Sequence, residues 1–310
     1  MIISASRRTD IPALYPEWFI NRIKAGFLLT RNPLNKTRIS RIDLSPDKID
    51  CIVFWTKNPE PAFQYLDLLK RYNYYFHFTL TPYDSSIEIN LPDKSKLIES
   101  FKKLSDTIGP ERVIWRYDPV FYTGKYDYSY HIRSFRKLAK SLSGYTERCM
   151  YSFLTVYQKC ERNMKAVPFS IPAMDDILKL SEAFAQISNA EGIKLQTCAE
   201  KLDLTDFGIT RGKCIDDDLI SKLKGKELTI PKDRNQRESC LCASSVDIGA
   251  YNTCTNRCVY CYANYNHDLA LAKYINHNAK SEIITGDLSG NEIIKDRIEA
   301  GSDSQQLKLF

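Results

Sequence analysis

Apolar and polar positions over the first two hundred residues follow two periods in turn. Short apolar, β-branched or aromatic runs at residues 2–5, 51–55, 74–80, 112–117, 149–155 and 194–197 predict strands. Between them apolar residues recur at helical spacing. Leu97, Phe101, Leu104 and Ile108 form one stripe, Ile132, Phe135, Leu138 and Leu142 a second, and Ile177, Leu180, Phe184 and Ile187 a third. Pro16 suits a first helical turn ahead of Trp18, Ile20 and Ile23, and Gly109, Gly144 and Gly192 follow the stripes where a left-handed cap ends a helix. Six strand-then-helix units predict a parallel sheet with helical crossovers, either doubly wound or a barrel. The expected fold class is α/β, a partial or full parallel β/α barrel of about six units. A β-hairpin insertion is predicted near 28–44, turning at Pro33, Leu34 and Asn35.

The pattern divides the chain into three parts. Residues 1–207 carry the β/α units. Residues 208–276 are irregular and cysteine-rich, with a short helix at 216–223, a charged linker at 232–238 and a helix near 267–275; this segment is expected to pack on the barrel mouth. Residues 277–310 are polar and repeat-free and predict a loosely packed tail.

In parallel α/β folds, active-site residues gather at the carboxyl ends of the strands. Those ends are polar here: Ser6 to Asp10, Thr56-Lys57-Asn58, Thr81-Pro82-Tyr83, Arg116-Tyr117-Asp118, Tyr157-Gln158-Lys159, and Glu200-Lys201. Six polar ends predict a polar, partly basic mouth.

Composition adds bounds. With 310 residues and 43% hydrophobic content, the chain can bury a sizeable core without disulfides. A net charge of +6 tolerates an acidic partner without requiring one. The N-terminal apolar run is too short for a signal peptide, and no stretch approaches the ~18 apolar residues of a membrane span. The expectation is a cytoplasmic protein with no membrane partner. Its ten cysteines would then sit in a reducing compartment, where metal or redox duty outweighs disulfide bonding.

Seven of those cysteines lie between 198 and 261, whereas Cys51, Cys149 and Cys160 sit at or beside predicted strands and are expected to pack in the core. A structural zinc site closes with four ligands, usually as two close pairs. Pairing Cys240 and Cys242 with Cys258 and Cys261 would strand Cys254. The seven divide more naturally as Cys198, Cys214, Cys240 and Cys242, then Cys254, Cys258 and Cys261. Four thiolates complete an iron–sulfur cluster; three leave one iron open to a small molecule. Zinc remains the rival for the set of four. The four histidines form no spaced ligand pair.

Cys254, Cys258 and Cys261, spaced C-x3-C-x2-C with Tyr260 before the last, resemble the cluster loop of radical S-adenosylmethionine enzymes. The resemblance implies a [4Fe–4S] cluster whose open iron is chelated by S-adenosylmethionine. It also implies one-electron cleavage of the sulfonium to a 5′-deoxyadenosyl radical inside a shielding barrel, and a reductant such as flavodoxin or ferredoxin. The set of four is then expected to hold an auxiliary [4Fe–4S] cluster. Two departures stand out: in most of that superfamily the loop follows the first barrel strand, whereas here it follows all six, and no Gly-Gly-Glu clamp follows a second strand. Through SASRRTDIPA, VFWTKNP, FTLTPY, ERVIWRYDP, TCAE, KDRNQRE and SVDIGAYNTC, nearly the whole chain resembles a bacterial family described as domain of unknown function number 1848.

With such a cluster at the mouth, Arg7, Arg8, Lys57 and Arg116 become candidates for forking to the S-adenosylmethionine carboxylate or to a substrate phosphate. Asp118 and Glu200 could take ribose hydroxyls or the amino group. Tyr83, Tyr117 and Tyr157 could stack on adenine or relay a hydrogen atom, and Tyr260 lies in the cluster loop. Arg116, Tyr117 and Asp118 are the expected catalytic group, and Asp10 is expected to pair with Arg7 or Arg8. Finally, Gln306-Leu307-Lys308-Leu309-Phe310 resembles the pentapeptide by which bacterial replication and repair proteins bind the sliding clamp, with Gln306, Leu307, Leu309 and Phe310 as contacts. That resemblance points to DNA as substrate and to lesion repair, as in spore photoproduct lyase. The competing expectation is a zinc- or cluster-stabilised barrel that binds or hydrolyses nucleic acid without radical chemistry.

Overall fold

The structure, a computed structural model, describes residues 1–297. In chain order the strands are β1 (Ile2–Ala5), β2 (Phe27–Arg31), β3 (Arg38–Asp43), β4 (Cys51–Thr56), β5 (Tyr74–Thr79), β6 (Val113–Val120), β7 (Arg148–Phe153), β8 (Lys194–Cys198), β9 (Thr210–Gly212), β10 (Val246–Asp247) and β11 (Ile293–Asp296). The helices are α1 (Ile11–Leu14), α2 (Pro16–Ala25), α3 (Lys94–Ile108), α4 (Tyr128–Leu142), α5 (Gln158–Asn163), α6 (Met174–Ala190), α7 (Asp217–Lys224) and α8 (His267–Ile275).

Eight strands form one sheet in the order β10-β1-β4-β5-β6-β7-β8-β9. Every pairing in it is parallel. The six strands expected from the apolar runs are its six central members, laid side by side in chain order. The fold is therefore α/β on an eight-stranded parallel sheet that is wound in one direction. It ends on β10 and β9, which are not neighbours in the sheet.

Strand side chains alternate between two faces, and both are buried, so the strands read as unbroken apolar runs. One face carries Ile3, Ala5, Phe54, Phe76, Phe78, Trp115 and Tyr151. It packs against Trp18 and Phe19 of α2, Phe101 of α3, Phe135 of α4 and Phe184 of α6. The other carries Ile2, Cys51, Val53, Tyr75, Ile114 and Met150, and is covered by Ile215, just before α7, and by Leu219 and Ile220 of α7. Polar ties hold that cover in place: the Tyr75 hydroxyl donates to the Cys214 carbonyl (2.7 Å), and Arg148 pairs with Asp216 at 2.6 Å. The cover leaves the carboxyl ends of the same strands open.

The hairpin forms from β2 and β3, antiparallel, and its turn is set by Asn32, whose side chain accepts from the amides of Leu34 and Asn35. Contrary to the expectation of a loose tail, residues 278–297 are stapled to the body. Ile283 and Ile284 are buried, the Trp18 indole donates to the Ser281 carbonyl (2.9 Å), and β11 pairs in parallel with β3. Isoleucines in a polar stretch find a partner surface that periodicity does not reveal. Gln306, Leu307, Leu309 and Phe310 lie outside the described residues.

Candidate functional site

The open carboxyl ends enclose a cavity of about 460 Å³. Its wall takes Arg7 and Arg8 from the loop after β1, Trp55 and Lys57 from the end of β4, Arg116 and Asp118 from β6, and Ser152 from β7. Cys198, Cys214, Cys240, Cys242, Cys254, Cys258 and Cys261 all line the same cavity.

The set of four converges from three segments. Cys198 ends β8, Cys214 lies just past β9, and Cys240 and Cys242 return over them on the loop before β10. The sulfurs of Cys198 and Cys214 are 3.3 Å apart, and the amide of Cys214 donates to the Cys242 sulfur at 3.2 Å. Arg116, itself buried, donates from Nη1 to the Cys214 sulfur at 2.9 Å and from its other terminal nitrogen to Asp118. Asp118 also accepts from Ser152. A hydrogen bond from Cys242 pulls the Cys240 thiol down to about 7. Four thiols, with amide and guanidinium donors aimed at two of the sulfurs, are a donor set suited to a thiolate-bound metal group.

The set of three sits on a loop launched from β10, and β10 pairs in parallel with β1 at the edge of the sheet. The loop is stapled to the β1 end. Asp247 accepts from the hydroxyls of Ser4 and Ser6, the amides of Arg7 and Gly249, and the Arg8 guanidinium. Gly249 is required here: a Cβ at this position would lie 2.2 Å from the Ser6 hydroxyl oxygen. Thr9 meets Thr253 through their hydroxyls (2.7 Å), and the Tyr15 hydroxyl donates to the Thr253 carbonyl. Asp10 caps α1 and accepts from the Lys57 amide and the Asn256 side chain, so one carboxylate ties together β1, β4 and the cysteine loop.

A buried ion network holds the other end of that loop. Glu88 is 2% exposed and accepts from Lys57, Lys94, Thr81 and the Tyr260 hydroxyl. Burial opposes its ionisation, but Lys57 and Lys94 prevail and bring its carboxyl down to about 2. The backbone of Cys258 bridges to Glu88, and the Val259 amide donates to the Ile87 carbonyl at 3.0 Å. Burial raises the Cys254, Cys258 and Cys261 thiols, Cys258 to about 12 despite the neighbouring Lys57 ammonium.

Of the residues expected at the site, Arg7, Arg8, Lys57, Arg116, Asp118, Tyr157 and Tyr260 line the cavity with the seven cysteines. Tyr117 does not. It lies between Arg116 and Asp118 on β6, so the period of two turns it to the helix face, where it packs on Phe135 and Phe184 and bonds His131. Tyr83 is fully buried, with its hydroxyl on the Pro119 carbonyl. Glu200 is not part of the cavity wall; its carboxylate accepts from the amides of Lys201 and Leu202, closing its own loop. Asp10 pairs with neither Arg7 nor Arg8; Asp247 takes Arg8 instead. Cys51 and Cys149 are core residues, whereas Cys160, equally buried, reaches the cavity wall and places its sulfur 3.2 Å from the Tyr260 carbonyl. Asp247, Glu88, Asn256 and Trp55 were not expected at the site. A single acid in a polar run carries no periodic signal, and a two-residue strand such as β10 is too short to register.

Among the described residues no helix is long and apolar enough to cross a membrane. No curated protein and no solved structure matches the chain. Residues 2–263, which include both cysteine sets and every residue of the cavity wall, match the family model described as Domain of unknown function (DUF1848). This chain, which builds two groups of thiols into one cavity at the carboxyl ends of a parallel sheet, belongs to the DUF1848 family.

Proposed function

We propose that the chain is a radical S-adenosylmethionine enzyme, built as a partial barrel, with a three-thiol cluster site and an auxiliary four-thiol site. The observation that carries this reading is the opening of both cysteine sets onto one cavity of about 460 Å³. The donor chemistry fits: three thiols leave one iron of a [4Fe–4S] group open, and four close a second. Among the described residues, the only His, Cys, Asp or Glu group with ligand atoms mutually within 4.8 Å is Asp216, Asp217 and Asp218. Among the described residues no three thiols meet that spacing, but the Cys198 and Cys214 sulfurs are already 3.3 Å apart, so zinc, with bonds of about 2.3 Å, remains the rival for the set of four. When bound and reduced, an open-site [4Fe–4S] group supplies one electron to a chelated sulfonium.

The chain's own residues supply the rest. Glu88, Lys57 and Tyr260 fix the carboxyl half of the three-thiol loop, and Asp10 and Asn256 fix its amino half. Helices on one face and α7 on the other keep water from the strands beneath the cavity. Arg116 orients the four-thiol site from below and is held by Asp118.

The cavity is too small for duplex DNA, so a nucleic-acid substrate would enter as one free or extruded nucleotide. A reductant protein of the flavodoxin or ferredoxin kind, and a sliding-clamp contact through residues 306–310, complete this reading.

An anaerobic iron and sulfide count tests it. About eight irons per chain supports two clusters and about four supports one; zinc without iron ends the radical reading in favour of a metal-stabilised binding protein. With dithionite and S-adenosylmethionine, the loaded chain should release 5′-deoxyadenosine or methionine. Retention of that activity in Cys258→Ala would sink the assignment. Full iron content in Cys160→Ser excludes Cys160 as a fourth ligand to the open site.

A further inference from the structure

The cavity wall contains five cations, and their counterions are unevenly distributed. Arg8 is paired with Asp247 at 3.0 Å, Lys57 with Glu88 at 2.7 Å, and Arg116 with Asp118. Arg237, at the exposed lip, donates to the Thr155 hydroxyl. Arg7 is different. Its backbone is fixed at both ends, the amide on Asp247 (2.9 Å) and the carbonyl under the Tyr262 hydroxyl (2.6 Å). Its guanidinium lies over the Trp55 ring at 5.2 Å. Yet Nη2 is buried without a hydrogen-bond partner, and the side chain makes no ion pair among the described residues.

No carboxylate of the wall is free to answer it. Asp118 holds Arg116 and Ser152. Asp10 holds Lys57, Ala13 and Asn256. Asp247, the nearest acid behind the wall, already accepts from Ser4, Ser6 and Arg8. Arg7 is half-buried, and Cys242 and Cys214 lead the groups that act on its charge, but its buried Nη2 still lacks an acceptor, a cost that remains unless something in the cavity meets it. Stacking on Trp55 and two backbone anchors hold this one in place before any ligand arrives, which lowers the ordering cost of binding.

We propose that Arg7 is the anion receptor of the cavity, taking a carboxylate or phosphate of the bound ligand as a forked, charge-assisted pair. Two sources offer that chemistry: the carboxylate of S-adenosylmethionine, in which case the inference rests on the function proposed above, and a phosphate on the substrate. Replacing Arg7 removes a charged hydrogen bond in a buried site, equivalent to about ten- to a hundredfold in affinity.

Equilibrium dialysis on the anaerobically reconstituted full chain tests this with three probes: S-adenosylmethionine, its decarboxylated analogue, and adenosine 5′-monophosphate. If the carboxylate is the anion, the wild type binds S-adenosylmethionine about tenfold or more tighter than the decarboxylated analogue, and Arg7→Gln abolishes that preference. If a phosphate is the anion, Arg7→Gln weakens the mononucleotide by a similar factor and leaves the preference between the other two unchanged. Wild-type affinities for all three probes in Arg7→Gln overturn the inference, as does a wild type that binds none of them. A wild type that binds only the mononucleotide, in an Arg7-dependent way, upholds Arg7 and removes the S-adenosylmethionine reading. Iron content and circular dichroism report whether Arg7→Gln folds. Arg7→Lys keeps the charge but loses the fork, so unchanged affinity in that variant also counts against the proposal.

Discussion

Glu88 carries more of the site's architecture than any residue the sequence singles out. Its carboxylate is 2% exposed and faces two ammonium groups, Lys57 and Lys94, as well as the Tyr260 hydroxyl of the cysteine loop. Glu88→Gln keeps the shape and removes the charge, leaving two partly buried cations facing each other across a neutral amide. Loss of one partner from such a buried network costs about 3–5 kcal/mol. The expected outcome in urea unfolding is a destabilisation of that order, little relieved by salt because the pairs are shielded from solvent. The cysteine loop should loosen with it, so on the proposed cluster assignment the anaerobically reconstituted variant should retain less iron after desalting than wild type. Unchanged unfolding and iron retention in Glu88→Gln would show that the loop is held by its other anchors, Asp10 and Asn256. Arg116 illustrates the same lesson in reverse. At a strand end it reads as a substrate contact, but its two terminal nitrogens are engaged by Cys214 and Asp118, which makes it a positioning residue for the four-thiol site.

At the level of elements, helix α4 is pinned to β6 by a buried histidine. His131 donates from Nε2 to the Phe121 carbonyl at 3.0 Å, which requires the proton on Nε2, so in the neutral ring Nδ1 accepts from the Tyr117 hydroxyl at 2.9 Å. Burial lowers its pKa from 6.5 to about 4. The folded state therefore binds this proton less readily than the unfolded chain. Stability from the neutral ring is fully present above about pH 6.5 and is lost as pH falls from there toward 4, by at most about 3 kcal/mol. His77 shifts in the same direction, so the measurement is a difference: His131→Gln should flatten the fall in unfolding free energy between pH 7 and 5 relative to wild type. An identical pH slope in the two proteins would contradict the assignment. All six main strands were legible because a parallel strand buried on both faces is an unbroken apolar run. The same run conceals which residues face which way, and so Tyr117 was expected in the cavity beside its two neighbours. The spacing of the cysteines was legible; their polar anchors, Asp247, Glu88 and Asn256, were not, because the contacts that tie them across the site, Asp247 to Ser4, Asn256 to Asp10 and Glu88 to Tyr260, join residues more than a hundred positions apart.

Across the whole molecule, chain order and spatial order differ at the cysteine loop. In sequence the loop comes after all six β/α units. In space it leaves β10, the edge strand beside β1, so the sheet read from that edge begins with the strand that launches the loop. The late position of the motif is thus a matter of connectivity, and the loop stands at the same rim as the other strand ends. The segment beyond α8 has a separate task. Residues 278–297 bury Ile283 and Ile284, satisfy Trp18, Asn21 and Arg22 of α2 through the carbonyls of Ser281, Ala279 and Lys280, and add β11 to the hairpin. None of them lines the cavity. A chain ended at 277, compared with one ended at 297, exposes two isoleucine sites and leaves buried donors on α2 without acceptors, a loss of about 5 kcal/mol or more. Its thermal midpoint should fall by roughly 10 °C. Below that midpoint, if the proposed cluster is bound, its iron content after reconstitution should match the longer chain, because every wall residue of the cavity remains. Equal midpoints would show that the segment only decorates the surface. Lost iron at full stability would mean that it shapes the cavity after all.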